Sequence, residues 1–198
     1  MASRNLRTFT ALAVSVAVCD QVTKFLATYY LSIQGGGGLL SFAARYFTHF
    51  WEFPYSAGLP YVVWPPWIKL SFTTNTGMAW GMMHGRSLLL SFVSLVLVVV
   101  ICVVWRRYGS RSIFLTVSLG LILGGALGNM IDRFRLREVV DFVDVLIPGF
   151  NYDFPVFNFA DACASVGTLL VAVFLIVSDI RQLRRKSAKC YDLTNYLS

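Results

Sequence analysis

LLLSFVSLVLVVVICVVW, residues 88–105, carries no charged side chain over 18 positions. Wound as an α-helix it covers most of the roughly 30 Å hydrocarbon core of a bilayer. A second uncharged run, SIFLTVSLGLILGGALGNMI at 112–131, follows after a short turn holding Arg106, Arg107 and Arg111. Two such runs joined by a basic turn read as a transmembrane helical hairpin. Outward from it, the strongly apolar FNFADACASVGTLLVAVFLIV (157–177) is uncharged except for Asp161, and Thr8 to Tyr30 is uncharged except for Asp20 and Lys24. The expected fold is a membrane all-α core of four transmembrane helices, at about 8–30, 87–105, 112–131 and 159–178. Outer segments at about 31–86 and 132–157 complete one integral membrane domain over 1–180, with a basic tail at 181–198.

Composition agrees. Of 198 residues, 57% are hydrophobic and 14% charged, with a mean hydropathy of +0.65. One water-soluble core of this size could not hide so much apolar surface. Basic residues set the orientation. Arg4, Arg7, Arg106, Arg107, Arg111, Arg181, Arg184, Arg185, Lys186 and Lys189, ten of the seventeen Lys and Arg, fall on one side, which is expected to be cytoplasmic with both termini. Asp20, Glu52, Asp132, Glu138, Asp141, Asp144, Asp153 and Asp161 fall on the outer half, leaving Asp179 and Asp192 inside. Arg133, Arg135 and Arg137 lie on the outer side among those acids. The net charge of +7 is thus a topology signal and a contact for anionic lipid headgroups; no nucleic-acid partner is implied.

Cys19, Cys102 and Cys163 fall within spans and Cys190 in the tail, so no disulfide framework is expected. VAVC at 16–19 superficially resembles a lipoprotein cleavage signal. Val18 stands where a small residue is required, however, and an uncleaved first helix is expected. The long outer segment opens with GGGG (35–38) and continues through RYFTHFWEF and YVVWPPWIKLSFTT. Short strands on the membrane surface, with Trp and Tyr at headgroup level, would make a small β-rich extracytoplasmic platform.

Ionisable groups within spans are costly unless paired or facing water, and each is a candidate for function. In DQVTK, Lys24 stands one turn above Asp20 on the same helical face. The two read either as a self-neutralising pair whose lysine snorkels outward or as a brace for an adjacent site. Gly120, Gly124 and Gly128 repeat at i, i+4, i+8 beside Gly125, a surface that admits another helix or an extended peptide. That stripe leads up to Asn129, Asp132 and Arg133, which favours a substrate channel.

Most hydrolytic chemistries lack their residues. The only histidines, His49 and His84, are in loops; there is no G-x-S-x-G elbow, no H-E-x-x-H zinc motif, and no serine placed beside Lys24 or Lys69. Carboxylates remain. Two aspartates meeting at a membrane boundary share one proton, so one can activate water while the other donates to a peptide carbonyl. Residue chemistry alone leaves Asp132, Asp141, Asp144 and Asp161 open as members of that pair.

DQVTK (20–24), NTGMAW (75–80), GGALGNMIDR (124–133), VVDF (139–142) and FNFAD (157–161) form an ordered set that resembles the lipoprotein signal peptidases, the signal peptidase II aspartic enzymes of bacterial inner membranes. The resemblance spans Asp20 to about Val177. It implies removal of signal peptides from diacylglyceryl-modified prolipoproteins, by cleavage before the lipidated cysteine, without metal or cofactor. It places the catalytic pair on Asp141 and Asp161. Supporting and substrate-binding positions fall on Asp20, Lys24, Asn75, Gly125, Asn129, Asp132, Arg133 and Asn158. Membrane lipid is the implied surrounding partner, and the cyclic peptide globomycin an expected inhibitor. The amides of Asn75, Asn129 and Asn158 are expected to serve the dyad or the peptide backbone, and Arg133 to pair with Asp132 or a carbonyl. The segment between Lys24 and Asn75 is longer than the family usually carries, and Trp80 stands where Phe is common. The alternative of another class is a non-enzymatic polytopic protein, a cation-binding transporter subunit or an assembly scaffold. Against it, the acids gather at one interface and do not run through the spans.

Overall fold

The first helix, α1 (Ala2–Leu31), carries the polar string DQVTK in its C-terminal half. The computed structural model describes residues 2–33, 35, 37–48, 56–77, 86–109, 112–149 and 152–196. His49, Glu52, residues 78–80 of NTGMAW, His84 and Arg111 lie outside that set, as do the side chains of Arg185, Lys186, Lys189, Cys190 and Asp192. After α1 come α2 (Leu39–Thr48), β1 (Tyr61–Trp64), β2 (Ile68–Asn75), α3 (Ser87–Arg107), α4 (Ile113–Leu136), β3 (Val139–Ile147), β4 (Tyr152–Phe157) and α5 (Phe159–Tyr196). Among the described residues, four helices are long and apolar enough to cross a membrane: Arg4–Leu31, Leu89–Arg107, Ile113–Leu136 and Phe159–Arg184. Together with one small sheet they match the expected architecture. α5 runs on as helix through the basic segment to Tyr196.

The glycines decide how the bundle closes. A Cβ on Gly120 would press on Leu12, one on Gly124 on Val16, and one on Gly128 on Asp20. Both series climb by four, so α1 and α4 run parallel in close contact. On the other side of α4 a Cβ at Gly125 would strike the Ala160 carbonyl, and Gly167 of α5 packs on Ser118 and Ile122. Small residues allow these backbones to approach where side-chain bulk would hold them apart. This corrects the substrate-channel reading: the stripe Gly120, Gly124, Gly128 is filled by α1, and Gly125 by α5. α3 packs through Trp105, whose ring stacks on Phe9 at 4.5 Å and whose indole N–H donates to Thr116 Oγ1 at 3.2 Å.

The four strands form one antiparallel sheet in the order β1-β2-β3-β4. YVVWPPWIKLSFTT, expected to hold short strands, supplies β1 and β2, which pair as an antiparallel hairpin. The preceding RYFT is not a strand: it ends the helix α2, with Phe42 and Tyr46 buried. These rings join Phe25 and Tyr29 of α1 in an aromatic cluster, and the Arg135 guanidinium lies 4.1 Å over the Tyr46 ring. An i, i+4 pair of aromatics seats a helix as well as alternation seats a strand, which is why pattern alone misreads this stretch. α4 ends at Arg137 in the left-handed conformation (φ 64°), and the chain turns there directly into β3.

Candidate active site

Strand β3 is fastened at its first residues. Asp132, near the end of α4, accepts the Val140 N–H at 3.2 Å, and the Val140 carbonyl accepts from Asn158 Nδ2 at 3.3 Å. Alternation along the strand puts Asp141 and Phe142 on opposite faces: Asp141 lines one cavity and Phe142 another.

Asp161 is set by a helix cap. Asn158 precedes α5, and its Oδ1 accepts the Asp161 N–H at 2.9 Å. Reciprocally, Asp161 Oδ2 accepts the Asn158 N–H at 3.2 Å. This is a capping box built from Asn and Asp, so the FNFAD motif fixes the carboxylate by the same bonds that start the helix. The Ala160 N–H, also free at a helix start, donates to Asp20 Oδ1 at 3.0 Å. Asn129 Nδ2 donates to Asp161 Oδ1 at 2.8 Å. Asp141 receives Asn158 Nδ2 at 2.6 Å on Oδ1 and Asn75 Nδ2 at 3.4 Å on Oδ2. The Asn75 side chain is itself braced by the Gly77 N–H at 2.9 Å.

Beneath this layer lies a dry ionic cluster. Lys24 Nζ reaches Asp20 at 2.8 Å and Asp132 at 2.9 Å, all three side chains wholly buried, and its third bond goes to Asn129 Oδ1 at 2.8 Å. The lysine therefore does not snorkel; it points inward and braces the site. Asp132 is the partner of Lys24, not of Arg133. Arg133 lines the cavity instead, within Coulombic reach of Asp161 and Asp141. The sequence reading passed over Gln21, whose Nε2 donates to Asp132 Oδ1 at 2.8 Å and to the Gly128 carbonyl at 3.2 Å. Its signal was an amide beside the first intramembrane acid.

Asp141, Asp161, Asn75, Asn129 and Arg133 share the wall of one cavity of about 600 Å³, closed on its far side by Phe154, Phe157 and the first turns of α5. Of the four candidate acids, Asp132 is taken by Lys24 and Asp144 pairs with Lys69 across β2–β3 at 3.5 Å. Asp141 and Asp161 are in no ion pair among the described residues and receive amide donors alone. Burial first, and the neighbouring charge of Asp161 second, push the Asp141 carboxyl up to about 7, against the hydrogen bonds of Asn158 and Asn75 and the charge of Lys24. No cluster of three or more potential metal ligands occurs among the described residues.

With this geometry in place, the comparisons with known proteins are decisive. Residues 12–177 match the sequence family described as signal peptidase (SPase) II. The chain belongs to the signal peptidase II family. Lipoprotein signal peptidases of Staphylococcus aureus strains JH9 and Newman are each 29% identical over 178 residues, covering 90% of this chain and 93% of theirs. Two solved structures described as bacterial membrane enzymes share the fold. One has TM-score 0.68 at 27% identity, covering 87% of this chain and 89% of that one. The other has TM-score 0.64 at 29% identity, covering 85% and 92%. As a member of the signal peptidase II family with four membrane-spanning helices, the chain is a multi-pass membrane peptidase. A transporter subunit or scaffold is not favoured by this family and fold.

Proposed function

We propose that the chain is an aspartic endopeptidase of the bacterial inner membrane, that it acts on diacylglyceryl-modified prolipoproteins, and that it cuts before the lipidated cysteine with Asp141 and Asp161. The observation that carries this reading is the convergence on one cavity of two aspartates that form no ion pair among the described residues, one from β3 and one from the first turn of α5. Asp141, which holds its proton to about pH 7, is the acid, and Asp161 is the base. Water held between them attacks the scissile carbonyl carbon as Asp161 takes its proton and Asp141 protonates the carbonyl oxygen. The resulting diol collapses: the C–N bond breaks, Asp161 passes its proton to the leaving nitrogen, and Asp141 recovers its proton from a diol hydroxyl. No covalent intermediate forms.

Arg133 at the cavity wall limits the negative charge as the diol forms, and Asn129 and Asn158 hold the carboxylates in register. Asp20, Lys24 and Asp132 act behind them as positioning residues, and Gly125 by letting α5 sit close to α4. Parallel α1 and α4, with Asp161 at one end of α5 and Arg181 and Arg184 at the other, support an outer-face site and cytoplasmic termini. Globomycin is expected to occupy the cavity.

The test is cleavage of a synthetic lipidated lipobox peptide in detergent. Asp141→Asn and Asp161→Asn should each lower turnover by roughly 10³-fold or more, the scale of lost acid–base catalysis, while Asp144→Asn stays near normal. Near-normal turnover by either dyad variant would overturn the assignment.

A further inference from the structure

A second cavity, of about 660 Å³, lies across β3 from the catalytic one. Its walls include Leu26 and Tyr30 of α1, Leu59 and Tyr61 before and in β1, Leu70 of β2 and Phe142 of β3, and among the described residues no charged side chain lines it. Its volume falls within the roughly 300–1,000 Å³ of ligand sites. The one hydroxyl it takes from the middle of α1, on Thr23, is already bonded to the Cys19 and Asp20 carbonyls at 2.9 Å each.

Its floor continues a surface that lipid must cover. Val14, Val18, Val22, Leu26 and Tyr30 follow one another at i+4 along α1 and are each between 41% and 72% exposed. The lower three form a lipid-facing stripe on the membrane span, and the upper two are the cavity wall. Tyr30 and Tyr61, amphipathic rings of the kind that settle at headgroup depth, stand at the outer end. An acyl chain lying against the stripe therefore enters the cavity at its top without leaving apolar surroundings.

We propose that this cavity is a binding site for the ester-proximal part of an acyl chain of a resident outer-leaflet phospholipid, wedged between α1 and the β1–β2 hairpin. The occupant is distinct from a chain of the substrate, because the two cavities have no lining residue in common and β3 stands between them. The lipid fills the space between hairpin and span, so the sheet that carries Asp141 rests on the membrane as well as on the bundle. The proposal depends on the membrane fold and not on the cleavage chemistry.

The test uses the full chain in phosphatidylcholine nanodiscs containing a phosphatidylcholine with a diazirine near the ester end of one acyl chain. After irradiation, labelled residues are mapped by peptide mass spectrometry. Label should appear at Leu59–Tyr61, Leu70 or Phe142 as well as on the α1 stripe. Leu59→Glu places a charge at the mouth and Leu26→Trp fills the floor; both positions are exposed, so folding is preserved. Each should lower label at Leu70 and Phe142 by roughly fivefold or more while label at Val14 and Val18 is unchanged. Label confined to the outer faces of the spans would overturn the site. A lipidated substrate peptide carrying the same diazirine, tested on Asp161→Asn, separates the sources. Cavity label from that peptide, with none from the phospholipid, would assign the space to substrate and overturn the proposal.

Discussion

Two pairs of aspartates sit within one hydrogen-bond network and live under opposite rules. Asp20 and Asp132 are wholly buried, and all four of their oxygens are occupied: by Lys24 twice, by the Ala160 and Val140 N–H groups, and by Gln21. Asp141 and Asp161 face a cavity and receive only amide donors. The first pair shares one cation, Lys24, and serves as scaffold. The second is in no ion pair among the described residues, and sharing a proton is the cheapest way for two like charges to coexist. Asn129 joins the two, accepting from Lys24 and donating to Asp161. Family membership makes the chain a peptidase; the proposed dyad rests on this difference in pairing.

The largest way to break the comparison is to remove the cation. Lys24→Met leaves Asp20 and Asp132 buried and unpaired, a loss of roughly 3–5 kcal/mol, read as a lower melting temperature and poor recovery in detergent. Adding Asp20→Asn and Asp132→Asn to Lys24→Met should return much of that stability. The other pair behaves oppositely. The folded state favours neutral Asp141, so this residue aids folding below the ordinary carboxylate pKa, and that advantage is lost as pH rises through about 7. Asp141→Asn should therefore melt no lower than the parent at pH 8 while losing turnover. If Asp141→Asn destabilised the fold as Lys24→Met does, the division into scaffold and chemistry would fail.

A smaller effect is expected where the pairs meet. Asn129→Ala leaves both pairs intact but unlinks them. Turnover should fall by about 10–100-fold with KM little changed, because Asp161 loses its orienting donor and not the substrate's contacts. A change in KM alone would place Asn129 with substrate binding. The smallest effect belongs to Asn75→Ala. Its bond to Asp141 is long, at 3.4 Å, and its loss should cost under about 1 kcal/mol, a fewfold drop in kcat/KM that sharpens the ranking of the amides around Asp141.

The spans were plainly legible, since an uncharged run of 18 or 20 residues has few other solutions. That YVVWPPWIKLSFTT holds short strands was legible from its aromatic and β-branched residues, while their pairing as a hairpin was not. What escaped depends on which surface each residue meets. Helix α2 owes its form to rings donated by α1, far from it in the pattern of RYFT. The glycine stripe fits a channel and a helix contact equally well until Leu12, Val16 and Asp20 are seen against it. Lys24 could snorkel or turn inward, and only the position of Asp132 decides. Residue chemistry left four acids open because their cations, Lys24 and Lys69, are assigned by tertiary contact; the resemblance, by its motifs, singled out the two that these cations leave free.

The pH dependence of kcat/KM on a lipidated lipobox peptide tests the shared proton most directly. With Asp141 protonated to about pH 7, kcat/KM should decline above that point by about tenfold per pH unit, and Asp144→Asn should leave the profile unmoved. A profile that stays level well into the alkaline range would mean that no proton on Asp141 is needed, and the two-aspartate chemistry would be wrong.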